Sequence, residues 1–320
     1  MPQRIGVIGT FIRDTIVTLD GRTVESIGGL YHTLANLSCL VDAEISVQPL
    51  CHVGEDFYET VRQALMRFGP KILWESIYRV PQPNTQVKLI YRTRETRDEI
   101  TSSPMPAVTT SEIAAVAGCD AVLVNLITGR DVDLEALHVL RKSCHSPLIY
   151  LDLHSLALGI DPAGKRYYRP IPEPESWLQV CDILQMNERE AATLAGSATP
   201  ARGKNFARAD LQSFGKHLVG ERLLACHITL GSDGSLLFYR SGGQVHHEYC
   251  QPLRGVITVD VIGCGDAFGA AFLAQFLKTK NFSAAAHFAN KVAGLNCTFM
   301  GSLTPEKYQQ FVEPHLEVVV

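Results

Sequence analysis

The chain has 320 residues, 46% of them hydrophobic and 19% charged, and its 29 basic and 33 acidic residues leave a net charge of −4. That balance is ordinary for a soluble globular enzyme, and at this length ~75% of the unfolded surface can be buried without staples. No Lys/Arg block marks a nucleic-acid or membrane partner and no run reaches the ~18 apolar residues of a membrane span, so the expected partner is a small molecule. The opening "MPQRIGVIGTF" lacks the apolar core of a signal peptide. The nine cysteines follow no C-x-x-C spacing, and Cys119 in "AGCDAVLV" and Cys226 in "LLACHITL" lie in apolar surroundings. Reduced core thiols in a cytoplasmic protein are expected.

In chain order, "RIGVIGT" is a strand, and "FIRDTIVTLDGRTVESIGG" holds two β-rich runs joined by Asp20-Gly21, a hairpin signal. "TLANLSCL" has a helical pattern, "ISVQPLCHVG" is strand-like, and "FYETVRQALMRFG" is a helix ending at Gly69. "NTQVKLIYRTRETRDEITSS" alternates and reads as a second hairpin with a charged tip. Beyond it, the buried-strand patterns "DAVLVNL", "PLIYLDL", "CDILQMN" and "CHITLG" are separated by helical stretches such as "DLEALHVLRKS" and "DLQSFGKHLVG". Repeating β-α units imply an α/β fold with a mostly parallel sheet covered by helices on both faces. The two hairpins, at about 11–27 and 85–103, interrupt that rhythm. They are expected to pair as a small β-sheet that forms a lid over the carboxyl ends of the main strands.

Four stretches carry chemistry, and each has a plain structural alternative. In "VDVIGCGDAFGAAF", Gly263 and Gly265 precede a helix that has Asp266 in its first turn. The free N–H groups and positive dipole of a helix start form an anion site, so residues 263–266 can hold a phosphate while Asp266 takes a proton. The alternative is a capped helix after a tight turn. In "DILQMNEREAATLAG", Asn187 and Glu190 spell a capping box, or else hold water-bound Mg²⁺ near phosphates. In "CHITLGSDGSLLFY", Thr229, Gly231 and Gly234 make a glycine hairpin, or a loop whose amides and hydroxyl meet nucleotide phosphates. In "SIGGLYHTLANL", Gly28 and Gly29 enter a helix, or let the backbone approach substrate hydroxyls.

In this order the four resemble the ribokinase/PfkB family of carbohydrate kinases. Its early Gly-Gly, Asn-x-x-Glu, Thr-x-Gly-x-x-Gly and Asp-Thr-x-Gly-Ala-Gly-Asp motifs correspond here to Gly28-Gly29, Asn187 to Glu190, Thr229 to Gly234 and Asp260 to Asp266. The resemblance runs from "IGVIGT" to "FANKVAGLNCTFMGS" and includes "HVGEDFYE". It implies one three-layer α/β/α ribokinase-like domain over 1–320, with a β-sheet lid, that transfers the ATP γ-phosphate to an alcohol. Asp266 would be the base, and the amides of Gly263, Cys264 and Gly265 the anion hole. Thr229, Gly231, Gly234 and Asn187 would line the nucleotide site, with Asn290 flanking the adenine. Glu190 would serve Mg²⁺ through water. Asp260 matches a residue that in some members helps bind a monovalent cation, which leaves K⁺ an open addition to ATP and Mg²⁺. Asp14, placed at the end of the first strand, matches the usual ligand for substrate hydroxyls, and Gly28, Gly29, Thr33, Asn125, Asp152 and His154 complete the substrate group.

The departures concern the substrate. Thr33 stands where the family commonly has Asn, and "YLDLHSL" offers Asp152, His154 and Leu156 in place of Asp-x-Asn-x-Arg. Asp152 and His154 are two apart and can point the same way, though His154 is equally a structural residue. Val261, Ile262 and Cys264 replace the signature's Thr pair and Ala. Three further patterns are set aside. "AGSATPARGKN" has the wrong glycine spacing for a P-loop and Asn205 where Ser/Thr is required. "GVIGT" lacks the full dinucleotide fingerprint. "HHEYC" gathers His246, His247 and Cys250 without a second ligand pair for zinc. The leading expectation is an ATP-dependent sugar kinase. A nucleoside kinase of the same family and a non-catalytic sugar-binding regulator are the rivals, and a homodimer through the lid is compatible with each.

Overall fold

Short apolar strands and amphipathic helices alternate along the chain, and a computed structural model describes residues 3–92, 97–102, 104–196 and 207–316. The strands are β1 (Arg4–Ile8), β2 (Phe11–Val17), β3 (Thr23–Gly29), β4 (Ser46–Gly54), β5 (Ile77–Val80), β6 (Gln86–Tyr91), β7 (Arg97–Thr101), β8 (Ala121–Asn125), β9 (Leu148–Asp152), β10 (Leu158–Ile160), β11 (Arg166–Tyr168), β12 (Ile183–Asn187), β13 (Ala225–Thr229), β14 (Ser235–Ser241) and β15 (Gln244–Cys250). The helices are α1 (Leu30–Leu40), α2 (Glu55–Met66), α3 (Leu134–Arg141), α4 (Pro174–Val180), α5 (Glu188–Leu194), α6 (Arg208–Glu221), α7 (Cys264–Thr279) and α8 (Phe282–Asn296), followed by short helical turns. Among the described residues no helix is long and apolar enough to cross a membrane.

The main sheet has nine strands in the order β15-β14-β13-β12-β9-β8-β1-β4-β5. Its neighbours are parallel from β13 to β5, and β14 and β15 add an antiparallel edge. β8 (AVLVN) is buried at every position, as a strand covered on both faces must be. On one face α1, α2, α7 and α8 pack over Ile5, Val7, Leu123 and Tyr150. On the other, α3, α4 and α6 pack over Ile8, Val122, Leu151 and Leu184. Each such side chain contributes about 1.5–3 kcal/mol on leaving water. Beneath α7, His227 is fully buried, its ring 4.1 Å from that of Phe272 and 5.5 Å from that of Phe268.

From β1 the chain builds outward through β4 and β5 on one side, then returns to build through β8, β9, β12 and β13 on the other. That reversal opens a crevice at the carboxyl ends of the strands, where ligands of open α/β sheets bind. Asn125, Asp152, Asn187 and Thr229 are the last residues of β8, β9, β12 and β13. Four residues named as candidates from the sequence therefore share the carboxyl end of the sheet.

The two β-rich segments that break the α/β rhythm meet in a second sheet, ordered β3-β2-β6-β7. β2 pairs with β6 in parallel, and the outer pairs are antiparallel. Gly21 turns the first hairpin at φ 82°, and the tip of the second, residues 93–96, lies outside the described residues. Ile12, Ile16, Val87 and Leu89 line the underside with Ile127. One sequence reading is corrected here: Asp14 lies in the middle of β2, not at the end of the first strand. β1 stops at Ile8, and the chain passes through Gly9 and Thr10 directly into the small sheet. The P-loop-like stretch at 197–206 is also outside the described residues.

Candidate active site

Asp266 stands in the first turn of α7 and is held by two residues from other elements. Asn125 Nδ2 donates to its Oδ1 at 2.5 Å, and the Thr33 hydroxyl, on α1, donates to the same oxygen at 3.3 Å. Asn125 Nδ2 also lies 3.1 Å from Thr33 Oγ1. Both fixed contacts converge on one oxygen of a half-buried carboxylate. Asp14 is buried on β2, and Gly28 on β3 is its close neighbour: a Cβ there would stand 1.8 Å from Asp14 Oδ2. Only glycine leaves that carboxylate its place.

The start of α7 is shaped in the same way. Gly263 is its N-cap at φ 76°, a left-handed conformation that favours glycine, and an added Cβ would lie 2.6 Å from His32 Nδ1. Gly265 is exposed, and its missing Cβ would meet only Gln185 Nε2 at 3.8 Å. The helix start is thus open at Gly265, where an anion can approach its first N–H groups, although the Cys264 N–H donates to Val261 O at 3.4 Å. Burial pushes the Cys264 thiol up to about 12. Asp260 braces the turn from behind, its carboxylate accepting from Ile262 N at 3.0 Å and Gly301 N at 2.9 Å.

A polar chain that sequence reading missed runs beneath this turn. Gln185 Nε2 donates to Gly265 O and to Asp152 Oδ2, both at 3.0 Å, and its Oε1 accepts from Tyr150 OH at 2.6 Å. Burial raises the Asp152 carboxyl well above the usual range, and the charges of Glu190 and Asp266 add to it, against a hydrogen bond from the His154 backbone. A cation held nearby through water would relieve that repulsion, whereas the three carboxylates do not converge as direct ligands of one ion among the described residues. His154 takes a φ of 31° in the turn after β9. His32, packed against Gly263, was also missed. Its Nε2 is buried without a protein partner, and burial lowers its pKa.

Asn187 and Glu190 form the capping box of α5. The Asn187 side chain accepts from Arg189 N and Glu190 N at 2.9 Å, while Glu190 Oε2 accepts from Asn187 N at 2.7 Å. Burial pushes the Glu190 carboxyl up to about 8, against those hydrogen bonds. Thr229 pairs in register with Asn187, and residues 230–234 turn tightly between β13 and β14. Gly231 faces open space at φ 60°, whereas a Cβ on Gly234 would strike Cys250 O. Asn290 lies farther out, where its Nδ2 reaches Ser235 Oγ at 2.9 Å and Cys250 O at 3.4 Å and ties α8 to β14 and β15. The structure therefore gathers Thr33, Asn125, Asp152 and Asp260 around residues 263–266 at the start of α7, while Asp14 and Gly28 adjoin each other in the small sheet. Thr229, Gly231, Gly234 and Asn290 lie along the β13–β14 edge.

Comparison with known proteins gives this geometry its context. The family described as "pfkB family carbohydrate kinase" matches residues 34–307. A ribokinase of Bacillus subtilis (strain 168) is 27% identical over 203 residues, 63% of this chain, and the match spans about half, 56%, of that relative's length. Among solved structures, a pyrophosphate-dependent kinase in the ribokinase family, complexed with a pyrophosphate analog and myo-inositol, superposes with a TM-score of 0.73 at 21% identity, covering 97% of this chain and 99% of the other. Arabidopsis thaliana ribokinase complexed with ribose and ATP gives 0.71 at 19% identity, covering 98% and 99%. These likenesses extend over both sheets, and the fold is ribokinase-like.

Proposed function

The chain belongs to the pfkB family of carbohydrate kinases, and from that premise we propose that it transfers the γ-phosphate of ATP to a hydroxyl of a sugar or sugar-like molecule. The observation that carries the reading is Asp266, fixed through Oδ1 by Asn125 and Thr33 at a helix start that is open at Gly265. In this reading Asp266 removes the hydroxyl proton as the phosphate arrives, and the amides of Gly263, Cys264 and Gly265 take up charge on the moving phosphoryl group. Asp14 and the backbone at Gly28 and Gly29 orient the acceptor, with Asp152 and His154 beside it. Thr229, Gly231, Gly234, Asn187 and Asn290 hold the nucleotide. Glu190, through water, would hold Mg²⁺, whose positive charge screens the phosphates when bound. The small sheet acts as a lid that keeps water from competing for the phosphate.

A nucleoside acceptor is the second reading, and one observation favours it. The small sheet turns Ile12, Ile16, Val87 and Leu89 inward around Asp14, with Ile127 and Ile262 against them. Such an aliphatic ceiling suits a flat, weakly polar base better than a ring of hydroxyls.

The test is ADP release from Mg²⁺-ATP across a panel of sugars, polyols and nucleosides, with and without K⁺, and with pyrophosphate as an alternative donor. Acceptor-dependent ADP release supports the kinase reading, and the active compound chooses between sugar and nucleoside. Phosphorylation of the acceptor only with pyrophosphate as donor, read as release of inorganic phosphate, would overturn the assignment of ATP. Tight binding of ATP and a sugar without transfer would make the chain a non-catalytic binder.

A further inference from the structure

At the outer edge of the main sheet, away from Asp266, three side chains with metal-binding chemistry converge. Glu248 and Cys250 are two apart on β15, so both point to the face that α8 covers, and His287 meets them from α8. His287 Nε2 lies 3.6 Å from Glu248 Oε1, and Cys250 Sγ lies 3.7 Å from the same oxygen. All three ligand atoms fall within 4.8 Å of one another. A tetrahedral zinc ion bound at its usual lengths of about 2.0–2.3 Å separates its N, O and S ligands by about 3.3–3.6 Å. Two edges of the triangle are already near those values. The third closes by rotation of the exposed His287 side chain, since Cys250 is buried and Glu248 half-buried.

We propose that Glu248, Cys250 and His287 form a three-ligand site for a zinc-type divalent ion, with the fourth position open to solvent. A thiolate with an imidazole and one carboxylate suits zinc or cobalt, whereas Mg²⁺ takes oxygen ligands and keeps its water. Binding releases the Cys250 thiol proton to solvent. The histidines that sequence reading grouped with Cys250 are not part of the site: the His246 ring stacks 5.2 Å from Tyr239 and the His247 ring 6.3 Å from Phe238. The ligand that completes the set comes from α8, beyond the reach of a local motif. An ion here clamps β15 to α8 beside Asn290, whose amide already reaches the Cys250 carbonyl.

The experiment is a Co²⁺ titration of the reduced, metal-free, full-length protein, followed in the visible and near-ultraviolet, with Zn²⁺ as competitor. The expected result is one equivalent bound with a thiolate-to-cobalt charge-transfer band that Zn²⁺ abolishes. Cys250→Ser should remove the band, and His287→Ala, an exposed change that leaves the packing intact, should weaken Co²⁺ binding about tenfold or more. Absence of the band, or a band equally strong in both variants, overturns the proposal.

Discussion

In the main sheet, β8 is buried at all of its positions, whereas in the small sheet β6 alternates, with Val87 and Leu89 buried between exposed Gln86 and Lys88. The first is held from both faces by helices, the second from one face by a cluster of five buried residues. A sheet with one packed face and few apolar anchors opens at lower free energy than one at the centre of two cores. The division has a chemical side. Asp266 and Asn125 belong to the main core, while Asp14 and the aliphatic ceiling ride on the small sheet. Under the proposed function, the base sits on the part packed from both faces, and the groups proposed to orient the acceptor ride on the sheet packed from one.

The comparison breaks if the main core proves soft. Phe272→Ala, which removes a fully buried ring from the α7 packing, should cost about 3–5 kcal/mol in urea denaturation, with KM unchanged where the protein is folded. A cost below about 1 kcal/mol would mean that α7 is not anchored by its core. Asp266→Asn should lower kcat by ~10² or more, near 2.7 kcal/mol, at unchanged Tm. Wild-type turnover in that variant would remove Asp266 from the mechanism.

The third test uses acid. Burial pushes the His227 imidazole down to about 3, below its ordinary value near 6.5. Below pH 6.5 the unfolded chain takes up a proton that the native state refuses, so this stability is present above 6.5 and lost as pH falls toward 3. The loss is about 1.4 kcal/mol per pH unit, or about 2 kcal/mol by pH 5. Neither ring nitrogen has a protein hydrogen-bond partner, so His227→Leu should flatten the acid limb. An unchanged pH profile would show that His227 is not its source. The smallest effect is expected in the small sheet: Ile16→Val should cost about 0.5–1.5 kcal/mol, and its clearer signature is a raised acceptor KM. An unaltered KM would place the ceiling outside the acceptor site.

The sequence carried the parallel sheet, the two hairpins and the existence of the helices, because period and turn chemistry are local signals, but not every helix end: α2 stops at Met66, short of Gly69, and α1 begins at Leu30, ahead of "TLANLSCL". It also carried Gly263 and Gly28, whose need for glycine reflects positions where backbone and side chains crowd. Asn187 and Glu190 show where local reading stops. The capping box is formed, and nothing within the motif separates a cap from a cap that also serves a metal. Asp14 was assigned to the wrong strand because two short apolar runs flank a turn of only two residues. Gln185 had a faint signal, a polar residue between Leu184 and Met186 in "CDILQMN". Its partners Gly265 and Tyr150 come from other strands and helices, and no spacing rule joins them. His287 was invisible for the same reason.

One consequence follows from the way β2 and β6 lie side by side. Between the two hairpins in the chain, from β3 to β6, come α1, β4, α2 and β5, all of which belong to the main sheet and its helices. The parallel pairing that joins the two hairpins closes a long loop, and that closure costs entropy until the intervening segment is already compact. We expect the small sheet to assemble late in folding, after β1, β4 and β8 have met. In a refolding time course, core fluorescence and far-ultraviolet ellipticity should therefore recover before catalytic competence does.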